Sequence, residues 1–149
     1  DRDEALAILD AAEEAGLVHN THNFALGHRH ICNCCGCCCG LISAIRDYGI
    51  ARQACNSYYW AEIDTDACTD CGVCDEERCP ADAIRNFRGH REVFRPRCIG
   101  CGLCVTTCPA DAITLVRKPP DELVPPPKDE RAWLEARAAA RGVEYDDLK

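Results

Sequence analysis

The sequence has no methionine, only two tryptophans and an aromatic content of 6%. No run approaches the roughly 20 apolar residues of a membrane-spanning helix, so no such span is expected, and the opening residues do not read as a signal peptide. The missing initiator methionine, with Asp1 in first place, leads us to expect the C-terminal portion of a longer polypeptide. Positive charge is also in deficit: 17 Lys and Arg stand against 25 Asp and Glu, a net charge of −8. That balance argues against a nucleic-acid footprint.

What the chain has is sulfur. Fifteen cysteines in 149 residues are too many for ordinary packing and leave a disulfide scaffold or metal binding. Several are adjacent, the total is odd, and Cys-x2-Cys groupings recur, which points to metal ligands. Thiolate ligands need reducing conditions, so the expected setting is cytoplasmic and oxygen-poor.

The cysteines from 68 to 108 form two ordered sets. Cys68, Cys71, Cys74 and Cys79-Pro80 are followed by Cys98, Cys101, Cys104 and Cys108-Pro109. The second set has the Cys-x2-Cys-x2-Cys-x3-Cys-Pro spacing known as a bacterial iron–sulfur signature. Thiols at i, i+3 and i+6 can wrap three corners of a cubane, and the fourth ligand then comes from elsewhere. Pro80-Ala81-Asp82-Ala83-Ile84 recurs as Pro109-Ala110-Asp111-Ala112-Ile113, so the stretch reads as a duplicated half-domain of strand, ligand loop, short helix and strand. Residues 61–117 thereby resemble the two-cluster (two 4Fe–4S) bacterial-type ferredoxin domain. In that family the Cys of each Cys-Pro ligates the other half's cluster. The resemblance implies one 4Fe–4S cluster on Cys68, Cys71, Cys74 and Cys108, and a second on Cys98, Cys101, Cys104 and Cys79.

One spacing departs from the pattern. Four residues, Asp75-Glu76-Glu77-Arg78, separate Cys74 from Cys79, where the second half has three. An extra residue in a regular helix turns the next side chain by about 100°, so a looser turn is expected before Cys79.

Ahead of this domain, Cys32-Asn33-Cys34-Cys35-Gly36-Cys37-Cys38-Cys39-Gly40 packs too much sulfur into one loop to be core. The leading reading is a third 4Fe–4S cluster on a subset of Cys32, Cys34, Cys35, Cys37, Cys38 and Cys39. Zinc held by four of these thiolates is the alternative, followed by disulfide or thiol redox chemistry. Cys32, Cys35 and Cys38 have the i, i+3, i+6 spacing, and Cys55 is a candidate remote ligand. His19, His22, His28 and His30 precede the block; scattered loop histidines read first as polar or backbone-bonded groups.

Around these sites, residues 4–15 and 41–48 read as helices closed by Gly16 and Gly49, and 57–63 as the first strand of the two-cluster unit. Asn86 to Glu92 reads as a hairpin turning at Gly89, and Val73, Ile84, Ile99, Leu103, Val105 and Ile113 as the hydrocarbon lining. Pro119-Pro120 and Pro125-Pro126-Pro127 make a stiff connector to a last helix, about Glu130 to Arg141, capped by Asp129 and carrying Trp133 for docking. The expected class is α+β: a small ferredoxin-like domain with a pseudo-twofold repeat (57–117), flanked by a helical Cys-rich segment (1–56) and a Pro-rich tail ending in a helix (118–149).

The whole chain also resembles the C-terminal part of a poorly characterised bacterial and archaeal ferredoxin-like family, which carries a Cys-Asn-Cys-Cys-Gly-Cys-Cys-Cys block ahead of a two-cluster domain and a Pro-rich tail. These resemblances imply an electron-transfer protein or oxidoreductase subunit, relaying single electrons through 4Fe–4S clusters without a catalytic side chain. The implied partner is a redox protein or a larger oxidoreductase complex, with no nucleic acid. Two alternatives are a reductase whose Cys32–Cys39 cluster is an open substrate site, and a zinc-containing structural or redox-sensing module. Acidic residues from Glu62 to Glu77 and arginines from Arg85 to Arg97 read as a charge-asymmetric surface for a partner, or as two solvated faces.

Overall fold

Asp1 accepts the Glu4 N–H at 2.9 Å, and the cap starts helix α1, Arg2–Glu14. A left-handed Gly16 (φ 75°) follows it. The computed structural model describes residues 1–148, without the side chains of residues 52, 53, 147 and 148. Strands β1 (Val18–Asn20) and β2 (Cys32–Cys34) pair in a two-stranded sheet. Helix α2, Gly40–Tyr48, ends on a left-handed Gly49. A short α3, Ala51–Ala54, leads into β3, Tyr59–Ile63. After the first ligand loop come a π-turn at Cys74–Arg78 and the hairpin β4 (Ile84–Phe87) and β5 (His90–Val93). The second loop leads to α4 (Leu103–Thr106) and β6 (Ile113–Arg117). Helix α5, Glu130–Ala139, closes the order of longer elements.

The chain divides into two compact units, one of residues 1–19 and 33–123, the other of 20–32 and 124–149. The segments 1–56 and 118–149, set apart by composition, each contribute to both.

In the larger unit, β3 pairs antiparallel with β6, from Tyr59 opposite Arg117 to Ile63 opposite Ile113. The first and last strands of the cysteine-rich region thus close on each other. β4 and β5 pair from Ile84 opposite Val93 to Phe87 opposite His90. The two turn residues, Arg88 and Gly89, have φ of 54° and 90°, and positive φ at both positions matches the right-handed twist of a tight hairpin. Val18, Ile42, Ile45, Ala51, Ala81, Ala83, Ile99 and Leu103 form one apolar cluster. Ile42 and Ile45 are fully buried, each contributing about 1.5–3 kcal/mol of transfer free energy. Ala61, Cys74, Ile84, Cys104 and Ile113 form a second.

The smaller unit is built around Phe24, which is 4% exposed. His22 and His28 stack on Phe24 at 5.2 and 5.3 Å, and Trp133 of α5 meets it at 6.5 Å. Ala25 and Leu26 donate their N–H groups to Pro127 and Lys128, tying the loop to the Pro-rich segment. Asp129 caps α5 by accepting the Ala132 N–H at 2.9 Å. The expected docking helix therefore packs its tryptophan inside this unit.

Candidate metal centres

Each ligand loop turns on a left-handed glycine after its middle cysteine, Gly72 at φ 86° and Gly102 at 87°, a conformation that a Cβ would disfavour. Asp82 and Asp111, equivalent in the two halves, also share positive φ, at 52° and 50°. Gly100 has a steric reason beyond its φ of 64°: a Cβ there would run into the Tyr59 carbonyl and the Ser57 hydroxyl. The second loop thus rests directly on the backbone at the start of β3.

The eight cysteines from 68 to 108 line two separate cavities. Cys79, Cys98, Cys101 and Cys104, with Ala61, Ala83, Ile84, Val93 and Ile99, surround one. Cys68, Cys71, Cys74 and Cys108, with Val73, Pro109, Ile113 and Arg91, surround the other. Each Cys-Pro cysteine lines the cavity of the other half.

The additional residue before Cys79 is absorbed in the backbone. Cys74–Arg78 forms a π-turn, whereas the second half uses the α-turn Leu103–Thr106. A π-turn holds one more residue per hydrogen-bonded ring. Beyond it the halves are back in step: Ala83 donates its N–H to the Cys79 sulfur at 3.2 Å, and Ala112 to Cys108 at 3.4 Å. Arg78 fixes the end of the π-turn by donating to the Glu13 and Glu14 carbonyls at the end of α1.

The cavities discourage bare thiolates. Burial pushes Cys104 up to about 12 and Cys101 and Cys74 up to about 11, against an ordinary thiol near 9. Cys101 is open to solvent as a residue, yet its sulfur faces the cavity among Leu103, Cys79 and Cys98. Backbone N–H groups point at two of the other sulfurs: Asp70 reaches that of Cys68 and Ala61 that of Cys98, each at 3.5 Å. Four sulfurs around an apolar hollow fit a group that brings its own positive charge and fills the space, as an iron–sulfur cluster does.

The oppositely charged stretches close on one another. Arg91, 11% exposed at its side chain, pairs with Asp70 at 3.2 Å, Asp75 at 2.9 Å and Glu76 at 3.3 Å. Arg95 bonds Glu62, and Arg97 bonds Asp82 and the Arg46 carbonyl. The charges that read as a partner-facing surface are in large part internal ion pairs, because β5 runs beside the first ligand loop, a proximity that charge order along the chain does not reveal.

The Cys32–Cys39 block is divided. Cys34 and Cys39 pack with Cys55 against the first apolar cluster, and Cys39 takes N–H bonds from Ile42 and Leu41 at the start of α2. Cys35, Cys37 and Cys38 instead gather their sulfurs within 4.8 Å of one another. Cys32 lies outside that group, so the i, i+3, i+6 spacing does not select the residues that meet. No histidine joins a group of three ligand atoms among the described residues. His28 Nδ1 bonds Thr21 and His19 Nδ1 bonds Asn33.

These features define a cysteine-rich iron–sulfur class of domain, and residues 61–109 match the sequence model of a 4Fe-4S dicluster domain. Known proteins are similar to part of the chain. The chain is 40% identical over 47 residues to F(420)H(2) dehydrogenase subunit I of Methanosarcina mazei, covering 32% of this chain and 25% of the relative. It is 34% identical over 61 residues to electron transport protein HydN of Escherichia coli, 38% of this chain and 35% of the relative. It is 47% identical over 38 residues to the protein of Escherichia coli named putative electron transport protein YsaA, 26% of this chain and 24% of the relative. The matched stretch is thus a minor part of each relative's length.

Proposed function

We propose that residues 57–117 hold two 4Fe–4S clusters and relay single electrons within a redox protein or oxidoreductase complex. Cys68, Cys71, Cys74 and Cys108 hold one cluster, and Cys98, Cys101, Cys104 and Cys79 the other. The observation that carries this reading is the division of the eight sulfurs into two quartets, each around its own apolar cavity. The match to a dicluster domain and the relatives named as electron-transport proteins or a dehydrogenase component support it. When bound, each cluster takes up and releases one electron.

The chain's own residues shape that transfer. Cys74 and Cys104, one from each quartet, belong to the same buried apolar cluster, which excludes water between the two sites. Cys71 and Cys101 are exposed, giving each site an edge toward a partner. The thiolates require a reducing compartment, for which the cytoplasm is the natural choice.

Anaerobic iron and sulfide quantitation, with EPR of the reduced chain, tests the reading. Residues 57–117 should account for about eight irons with matching sulfide. Zinc bound to these eight cysteines, or disulfides among them, would overturn it.

Arg91 should set the potential of the Cys68–Cys108 cluster, because it lines that cavity and holds three carboxylates. Removing a positive charge disfavours an added electron, so Arg91→Gln should lower that potential by roughly tens of millivolts. Glu76→Gln should raise it by less, since Glu76 is 72% exposed and solvent screens it. Redox titration followed by EPR reads both signs.

A further inference from the structure

Two kinds of sulfur grouping occur in this chain. The quartets spread their thiols around two cavities. The trio in the Cys32–Cys39 block is contracted: the Cys37 sulfur lies 3.2 Å from that of Cys35 and 3.5 Å from that of Cys38. Among the described residues, this is the group that brings three ligand atoms within 4.8 Å of one another.

The difference in spacing has chemical content. In a cubane each thiolate caps a different corner iron and points away from the others, so the ligand sulfurs stand well apart. Around a single tetrahedral ion with metal–sulfur bonds of about 2.3 Å, the sulfurs sit about 3.8 Å from each other. At 3.2 and 3.5 Å, with all three sulfurs within 4.8 Å, the trio is closer to the second spacing than to the first. From this geometry we infer that Cys35, Cys37 and Cys38 form a mononuclear site for a thiophilic divalent cation such as zinc, with the fourth position open to solvent.

The loop is held in shape for this. Arg46 and Ser43, both on α2, donate to the Gly36 carbonyl at 2.9 and 3.3 Å, which fixes the turn between Cys35 and Cys37. Gly36 also lies against Pro80, where an added Cβ would meet the proline Cβ at 3.5 Å. The Cys38 N–H donates to the Cys35 sulfur at 3.2 Å, orienting one ligand and stabilising its thiolate form. Cys37 and Cys38 are exposed and Cys35 partly so, so an ion can enter from water and displaced thiol protons can leave. Three thiolates and a divalent ion carry one net negative charge, and Arg46 lies close enough to interact with Cys37. Cys34, Cys39 and Cys55 pack against the apolar cluster and stand outside the contracted trio.

The site does not depend on the electron-relay reading, and a separate element reports it. The full chain, produced anaerobically with zinc present and then desalted over a weak chelator, should retain about one zinc. The extended fine structure at its X-ray absorption edge should show three sulfur neighbours near 2.3 Å. Cys37→Ser should reduce retained zinc about tenfold or more and leave iron unchanged, while Cys32→Ser should keep both. Zinc lost on desalting means an adventitious ion only and overturns the inference. So does a Cys37→Ser variant that keeps its zinc, or one that loses about four irons, the mark of a cubane. A disulfide among the three in the anaerobic chain, found by mass with no zinc bound, overturns it as well.

Discussion

Cys79→Ala is expected to remove the cluster of Cys98, Cys101 and Cys104 and to leave that of Cys68, Cys71, Cys74 and Cys108 in place. Iron retained by the two-cluster region should fall from about eight to about four per chain, and the EPR signal that survives should be the one whose potential responds to Arg91→Gln. Sequence order alone would pair Cys79 with the three cysteines just before it. The structure instead has Cys79 lining the cavity of the second half, with its sulfur buried and its pKa raised chiefly by that burial. Loss of the first cluster with retention of the second would reverse the assignment of ligands. Cys108→Ala gives the mirror experiment, because Cys108 lines the other cavity.

Gly100→Ala is expected to be the most damaging substitution outside the cysteines. Its φ of 64° costs an L-residue about 1–2 kcal/mol, and the new methyl would collide with the Tyr59 carbonyl and the Ser57 hydroxyl. Backbone cannot yield as a flexible side chain does, so the loop carrying Cys98 and Cys101 must lift from β3. Gly89→Ala is the matched control, since its φ is 90° but nothing lies within 4 Å of its added Cβ. The rate of cluster bleaching in denaturant should rise about a hundredfold for Gly100→Ala and less than about tenfold for Gly89→Ala, taking 1.4 kcal/mol as a factor of ten. Equal rates would show that strain in the torsion, and not the collision, dominates.

The sequence was most readable where composition and geometry speak the same language. Glycine before a change of direction marked the end of α2 at Gly49 and the hairpin turn at Gly89. An aspartate before a periodic segment marked the start of α5. The spacing of the eight cysteines, together with a family resemblance, was enough to propose two quartets. The extra residue before Cys79 announced a looser turn, but a count of residues does not say which kind; the π-turn follows from hydrogen bonds that sequence does not display.

Less was readable where distant segments meet. Arg91 falls in a run of arginines whose sequence neighbours give no hint of Asp70, Asp75 and Glu76. The return of the β4–β5 hairpin places β5 alongside the first ligand loop, so the ion pairs are a product of topology. In the Cys32–Cys39 block, spacing left the subset open, with Cys32, Cys35 and Cys38 having the i, i+3, i+6 pattern. The turn at Gly36 selects Cys37 in place of Cys32, because β2 carries Cys32 away from the turn while Cys37 folds back onto Cys35. Trp133 announced that α5 would dock, and its seat is a phenylalanine stacked with two histidines more than a hundred residues earlier.

The π-turn at Cys74–Arg78 also acts as slack in the chain. Because the widened ring takes up one surplus residue without passing the offset to Cys79, length and ligand placement are uncoupled at this one spot. Asp75, Glu76 and Glu77 occupy the slack, so evolution can rewrite charge beside the neighbouring sulfurs there while the halves keep a common rhythm. The two ligand loops gain in this way a single adjustable joint, and the two proposed clusters can drift apart in potential without the loops drifting apart in shape.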